Sequence, residues 1–157
     1  MKKYIYLAGP IADCDYQEAN EWRVYCQEKF EPGIVGISPL RCEPLEKGKR
    51  YSAPGSVVKM WSDPRAIATK NWLDTESSDL VLAYLPKELS DRRPSIGTII
   101  EIGWAIGLRK PLIIVSDDNY LMDHPLIKHN ASWRLNNLDE AVEVISGLFG
   151  DYISQVA

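Results

Sequence analysis

Ser95-Ile96-Gly97-Thr98-Ile99-Ile100-Glu101-Ile102-Gly103-Trp104-Ala105, with Pro111-Leu112-Ile113-Ile114-Val115 close behind it, is the stretch whose reading decides the fold. Its first part is a small-residue turn opening into a helix that is apolar on nearly every side through Leu108. Its second part is a short aliphatic run of the kind that makes a buried strand. A helix hydrophobic all round is normally a buried one, yet Glu101 puts a carboxylate in its first turn. A lone carboxylate in an apolar place is costly unless something compensates it. Two readings of Glu101 stand. Thr98-x-x-Glu101 has the spacing of a capping box, in which hydroxyl and carboxylate satisfy each other's backbone N–H groups, and a Glu there suits the helix dipole. Alternatively, the helix N-terminus holds an ionised carboxylate at the floor of a cleft, as a nucleophile.

The same strand and helix patterns continue outward on both sides. Upstream, Asp79-Leu80-Val81-Leu82-Ala83-Tyr84-Leu85 reads as a strand, joined to the Ser95 turn by a polar loop from Pro86 to Pro94. Ser62-Asp63-Pro64 is a good helix start, with a capping side chain and a proline near the first turn, and that helix should reach about Ser77. Nearer the start, Tyr4-Ile5-Tyr6-Leu7-Ala8 is an apolar strand closed by Gly9-Pro10. A helix is expected from Tyr16 to Phe30, stopped by Glu31-Pro32-Gly33, and then a strand at Ile34-Val35-Gly36-Ile37. Trp133-Arg134-Leu135 reads as a short fifth strand, and Leu138 to Phe149 as a closing amphipathic helix. Residues 41–62 show no clear period. Loops that long are usually functional or disordered, so a lid over the cleft is expected there.

Strands that are apolar runs and alternate with helices imply a parallel sheet covered on both faces. With right-handed crossovers the expected order is 2-1-3-4-5. The fold class is therefore α/β, a three-layer sandwich of the Rossmann or flavodoxin-like kind, with residues 1–157 forming a single domain. Ligands in such sheets sit beyond the carboxyl ends of the strands, where the winding reverses. Here that gap is lined by Gly9, Pro10 and Ile11 on one side and by the segment from Pro94 to Glu101, with Ser95 and Gly97, on the other. The topology puts Glu101 in the cleft and favours the nucleophile reading.

Composition narrows the chemistry. At 157 residues the chain can bury roughly 70% of its unfolded surface and needs no staple to fold. A net charge of −4 argues against a nucleic-acid polymer as main partner, since such binding neutralises phosphates with clustered Lys and Arg. The odd set Cys14, Cys26 and Cys42, with only His124 and His129 beside it, offers no zinc-ligand spacing; no metal and no cofactor is expected. Met1-Lys2-Lys3 runs straight into a strand and no apolar run approaches the ~18 residues a span needs, so a cytoplasmic protein without membrane contact is expected. Gly9-Pro10 is not a dinucleotide fingerprint, and neither a Walker A sequence nor G-x-S-x-G is present.

What remains is a carboxylate, helix N–H groups, small residues and a strand tyrosine. Three blocks carry a resemblance: Tyr6-Leu7-Ala8-Gly9-Pro10, Ser78-Asp79-Leu80-Val81-Leu82-Ala83, and Ser95-Ile96-Gly97-Thr98-x-x-Glu101-x-Gly103-x-Ala105 followed by Lys110-Pro111. In that order they resemble the nucleoside 2-deoxyribosyltransferase family, which includes the nucleoside 5′-monophosphate N-glycosidases. The resemblance runs from Tyr4 to about Ile127. It implies that Glu101 is a nucleophile toward C1′ of the sugar, that Tyr6 orients it, and that a glycosyl ester is then passed to another base or to water. It also implies that Ser95 meets the 5′ end of the substrate. Where an Asp there would repel a phosphate, a hydroxyl beside helix N–H groups favours one, so a 5′-monophosphate is expected. His124 falls where the family contributes a 5′-end contact from a neighbouring subunit, which implies a homodimer or higher oligomer.

One departure stands out. The family usually has Asp eight residues before Asp79, contacting the leaving base; this chain has Asn71. An amide can hydrogen-bond a base but cannot protonate it. Asp74, one helical turn on, is the candidate for that acid role. Two functions follow: an enzyme breaking N-glycosidic bonds through Glu101, with Tyr6 and Asp74 assisting, or a non-catalytic nucleotide-binding module disabled at Asn71.

Overall fold

The computed structural model describes residues 1–43, 48, 50–51, 59–61 and 63–151. Strands β1 (Lys3–Ala8), β2 (Ile34–Ile37), β3 (Leu80–Tyr84), β4 (Leu112–Val115) and β5 (Trp133–Leu135) form one parallel sheet of order β2-β1-β3-β4-β5. Helices α1 (Tyr16–Lys29), α2 (Pro64–Ser77), α3 (Lys87–Arg92), α4 (Ile96–Gly107), α5 (Asn119–Asp123), α6 (Pro125–Asn130) and α7 (Leu138–Phe149) connect and flank it. The expected order is the observed one.

Because side chains alternate across a strand, each strand feeds two cores. Ile5, Leu7, Leu80, Leu82, Ile113 and Val115 point to one side, where α1 and α7 bring Trp22, Cys26, Ala141 and Ile145. Tyr6, Ala8, Val81, Ala83, Leu112 and Ile114 point to the other, against Ile102 and Ala105 of α4. Burying each such side chain contributes about 1.5–3 kcal/mol. Truncating Leu82, which is fully buried, should cost about 2–5 kcal/mol. The turn after β1 is equally tight. A Cβ on Gly9 would stand 2.6 Å from the Trp22 ring and 3.1 Å from the Tyr84 carbonyl, so the chain passes close only because Gly9 has none.

The helix starts follow their capping residues. Asp15 and Glu18 form a reciprocal capping box on α1, and Asp63 caps α2 ahead of Pro64. Three short helices break the expected pattern: α3 occupies the segment read as a polar loop, and α5 and α6 follow β4. None exceeds six residues, too few for an apolar period to show. The expectation of a buried α4 also needs correcting. Ile96, Ile99 and Ile100 are exposed, while Thr98, Glu101, Ile102 and Ala105 are buried. Most of the expected lid over residues 41–62 lies outside the described residues. Of the parts described, Glu43 and Tyr51 line the cleft. No helix among the described residues is long and apolar enough to cross a membrane.

Candidate active site

A cleft of about 290 Å³ opens beyond the carboxyl ends of β1 and β3, near the lower end of the about 300–1,000 Å³ usual for small-molecule sites. Gly9, Ile11, Asn71, Ser95, Gly97 and Glu101 line it. Pro10 is buried between two lining residues without facing the cleft itself.

Glu101 is the sixth residue of α4, a full turn further in than the sequence suggests, and only 6% exposed. It does not cap its helix. Ser95 is the N-cap and makes no side-chain bond to a helix N–H; its hydroxyl instead pairs with that of Thr98 at 2.7 Å. The capping-box reading is thereby overturned. Glu101 Oε1 accepts from the Tyr6 hydroxyl at 2.6 Å and from Asn71 Nδ2 at 3.0 Å. Both donors converge on one oxygen, and Oε2 has no partner among the described residues.

The electrostatics of this carboxylate follow from its neighbours. Burial pushes Glu101 up to about 7, because a charged carboxylate is poorly solvated there. The Tyr6 hydrogen bond, the Arg23 charge, the Asn71 hydrogen bond and the Lys70 charge each pull it back down. Tyr6 is fully buried, and burial followed by the Glu101 charge raises its phenol well above the ordinary range. It therefore stays a proton donor at neutral pH.

Three basic residues around the site were not singled out by sequence. Arg23, 1% exposed on α1, donates to the carbonyls of Leu7, Ala19 and Gly9 and lies over the Trp22 ring. It braces the turn that carries Gly9. Lys70 on α2 lines the cleft and donates to the Pro39 carbonyl at 2.8 Å and to Asn71 Oδ1 at 3.1 Å. Arg41 grips both oxygens of Asp74 at 2.6 Å, and Lys70 Nζ stands 3.7 Å from the same carboxylate. Asp74 is 7% exposed and does not line the cleft. His124 lies apart as well, capping α6 by accepting from Leu126 N–H at its Nδ1.

A buried carboxylate with one oxygen held by two neutral donors and no cation bonded to it among the described residues, at the switch point of a parallel sheet, is suited to nucleophilic attack. A family model described as nucleoside 2-deoxyribosyltransferase matches residues 5–147. The chain belongs to that family. Nucleoside 2-deoxyribosyltransferase family members cleave or transfer N-glycosidic bonds of nucleosides or nucleotides. No curated protein sequence matches the chain. Among solved structures, a conserved protein from Enterococcus faecalis V583 is 18% identical over 95% of this chain and 100% of its own, with a TM-score of 0.63. The 2-deoxyribosyltransferase of Bacillus psychrosaccharolyticus is 16% identical over 88% and 90%, with a TM-score of 0.61. The Clostridium botulinum CMP N-glycosidase BcmB is 18% identical over 94% and 100%, with a TM-score of 0.52. At these identities the likeness is one of fold.

No local signal in the sequence could have found Arg41. It reaches Asp74 across 33 residues of chain, and only the folded topology sets that contact. Lys70 did have a signal, its place next to Asn71.

Proposed function

We propose that the protein cleaves the N-glycosidic bond of a nucleoside 5′-monophosphate through a covalent glycosyl ester on Glu101. The observation that carries this reading is the pair of bonds from Tyr6 and Asn71 to Oε1, which leaves Oε2 as the attacking oxygen. Oε2 bonds to C1′ as the C1′–N bond breaks, and the base leaves with that electron pair and takes up a proton from solvent. Water, giving up a proton to solvent, or a second base then attacks C1′ as the ester C1′–O bond breaks, and its electrons return to Glu101. Two displacements retain configuration, as in retaining glycosidases. An asparagine amide has two N–H groups. Asn71 gives one to Glu101, and its second is available to the leaving base.

The phosphate belongs at the start of α4. Ser95, Gly97 and Thr98 line the cleft there, and Arg93 stands at its rim. N–H groups of a helix's first turn lack carbonyl partners within it, and anions bind at such ends. Asp74 takes no part in proton transfer on this reading. Both its oxygens face Arg41, so it anchors Arg41 and, at 3.7 Å, Lys70 in the cleft wall. Ile96, Ile99 and Ile100 of α4 and Leu73 of α2 leave an exposed apolar face on two helices that pack together, with Ile96 also lining the cleft. A second copy of the chain is its proposed occupant, bringing His124 toward the 5′ end of the neighbour's substrate. Sedimentation would show a dimer that Ile100→Asp dissociates.

The deciding experiment is base release from ribo- and deoxynucleosides and their 5′-monophosphates, with and without acceptor base, against Glu101→Gln. Release from monophosphates without acceptor supports the proposal. Exchange requiring a free base would make the protein a transferase on nucleosides and remove the phosphate argument. Silence across the panel would leave a binding module.

A further inference from the structure

Lys70 is a buried cation with no substrate role in the scheme above. Its side chain is 9% exposed, and its ammonium sits between the Pro39 carbonyl, Asn71 Oδ1 and the Asp74 carboxylate. An ammonium can only donate hydrogen bonds, so the Asn71 oxygen must face it. The Asn71 Nδ2 must then point the other way, and there it meets Glu101 Oε1 at 3.0 Å. Turned over, the amide would set its oxygen against the Glu101 carboxylate and its N–H groups against the ammonium, losing both bonds. Pro39 and Asp74 pin Lys70 from the far side, and Arg41 pins Asp74. The chain of contacts thus runs Arg41, Asp74, Lys70, Asn71, Glu101, with each member fixed by the one before.

We propose that Lys70 is the positioning residue of this site, fixing the Asn71 amide as an N–H donor to the nucleophile so that Glu101 Oε1 is held and Oε2 is presented. This rests on the reading of Glu101 as the nucleophile. The groups acting on Glu101 are Tyr6 from β1, Arg23 from α1, and Lys70 and Asn71 from α2. Of these, only Lys70 acts both by its own charge and through the amide it orients. Burial lowers the Lys70 ammonium from its ordinary value, with the Asp74 carboxylate opposing that.

The test compares Lys70→Met, Lys70→Gln and Lys70→Arg in the full-length protein. One readout is kcat and KM for the substrate found in the release panel. The other is titration of the Glu101 side-chain carboxyl followed by carbon-13 NMR, which needs no turnover. Lys70→Met should lower kcat about ten- to hundredfold with KM within about threefold, the signature of a lost transition-state contact. The Glu101 midpoint should rise. Lys70→Arg should restore most of kcat. Lys70→Gln, which keeps a donor without the charge, should fall between the other two and covers the case in which Lys70→Met fails to fold. An unmoved Glu101 midpoint in both Lys70→Met and Lys70→Gln overturns the proposal, as does a raised KM at unchanged kcat, which would make Lys70 a substrate contact. If the wild type turns nothing over, the reading of Glu101 fails, while an unmoved midpoint in both variants would still overturn the role of Lys70.

Discussion

Asp74 on α2 and Glu101 on α4 are carboxylates buried to nearly the same degree, 7% and 6% exposed, on helices that pack together. Their surroundings are opposite. Asp74 has a guanidinium on both oxygens and an ammonium at 3.7 Å, the arrangement that keeps a buried charge tolerable. Glu101 has two neutral donors on one oxygen, with its cations acting only from a distance. A carboxylate gripped by cations is satisfied and unreactive. One held by neutral donors in a poorly solvating place keeps an oxygen free and sits near 7. What separates the two carboxylates is the charge and number of their partners, since burial is nearly equal.

The comparison breaks most visibly at Glu101. On the proposed mechanism Glu101→Gln should lower kcat on the order of 10⁴- to 10⁶-fold, as loss of a nucleophile does, with folding intact by circular dichroism. Residual activity within tenfold of wild type would leave the two carboxylates functionally alike. The wild-type kcat/KM should rise with pH through about 7, since attack needs the ionised form and this profile reports the free enzyme's groups.

The unequal legibility of the two regions in the sequence has a physical cause. The parallel sheet could be read because β1, β3 and β4 are buried on both faces and appear as unbroken apolar runs. Glu101 could be placed because sheet topology alone puts the start of α4 at the switch point. The network around Asp74 was hidden. Arg41 lies in a stretch without periodicity, and its contact depends on how the chain returns to α2. Asp74 looked like an acid because helical spacing puts it one turn from Asn71, but spacing says nothing about a cation arriving from elsewhere. The exposed side of α4 misled for a similar reason: Ile96, Ile99 and Ile100 read as core in a single chain.

At Asp74 the expected failure is structural. Arg41→Met leaves a nearly buried carboxylate with Lys70 as its one remaining cation among the described residues. Breaking buried pairs typically costs 3–5 kcal/mol. Because the Arg41 side chain is 42% exposed, the loss should be about 2–4 kcal/mol, measured by urea unfolding. A loss below about 0.5 kcal/mol would put this pair with exposed surface bridges and end the contrast with Glu101.

Glu101 carries a cost of opposite sign. Glu101 is at about 7 when folded against an ordinary value of 4.5. Between those values the folded protein keeps a proton that the unfolded chain releases, so unfolding free energy falls as pH rises. Below 4.5 both states are protonated and the penalty vanishes; above 7 it is at full size. Glu101→Gln, which cannot ionise, should therefore stabilise the protein by about 1–3 kcal/mol at pH 8 and by almost nothing at pH 4. Thermal melts at the two pH values check this. Equal gains at both would mean that the carboxylate is not held in a poorly solvating place.

Asn71 is where the comparison can be sharpened most finely, because one substitution would give Glu101 a charged neighbour of its own sign. Asn71→Asp replaces a neutral donor 3.0 Å from Glu101 Oε1 with a second carboxyl group. Two carboxylates at that distance resist ionising together, and the pair titrates in two steps shared between them. Lys70, 3.1 Å from the Asn71 oxygen, would offset part of the repulsion by pairing with the new Asp. The acid limb of kcat/KM should therefore move up by about one pH unit, a modest shift of about 1.4 kcal/mol, with the rate at pH 6 falling about tenfold. If Asn71 were a lesion awaiting its acid, the same substitution would raise the rate at every pH and leave the limb in place. On the proposed mechanism, an amide that donates to Glu101 on one side and accepts from Lys70 on the other is instead a working part, and replacing it should move the limb.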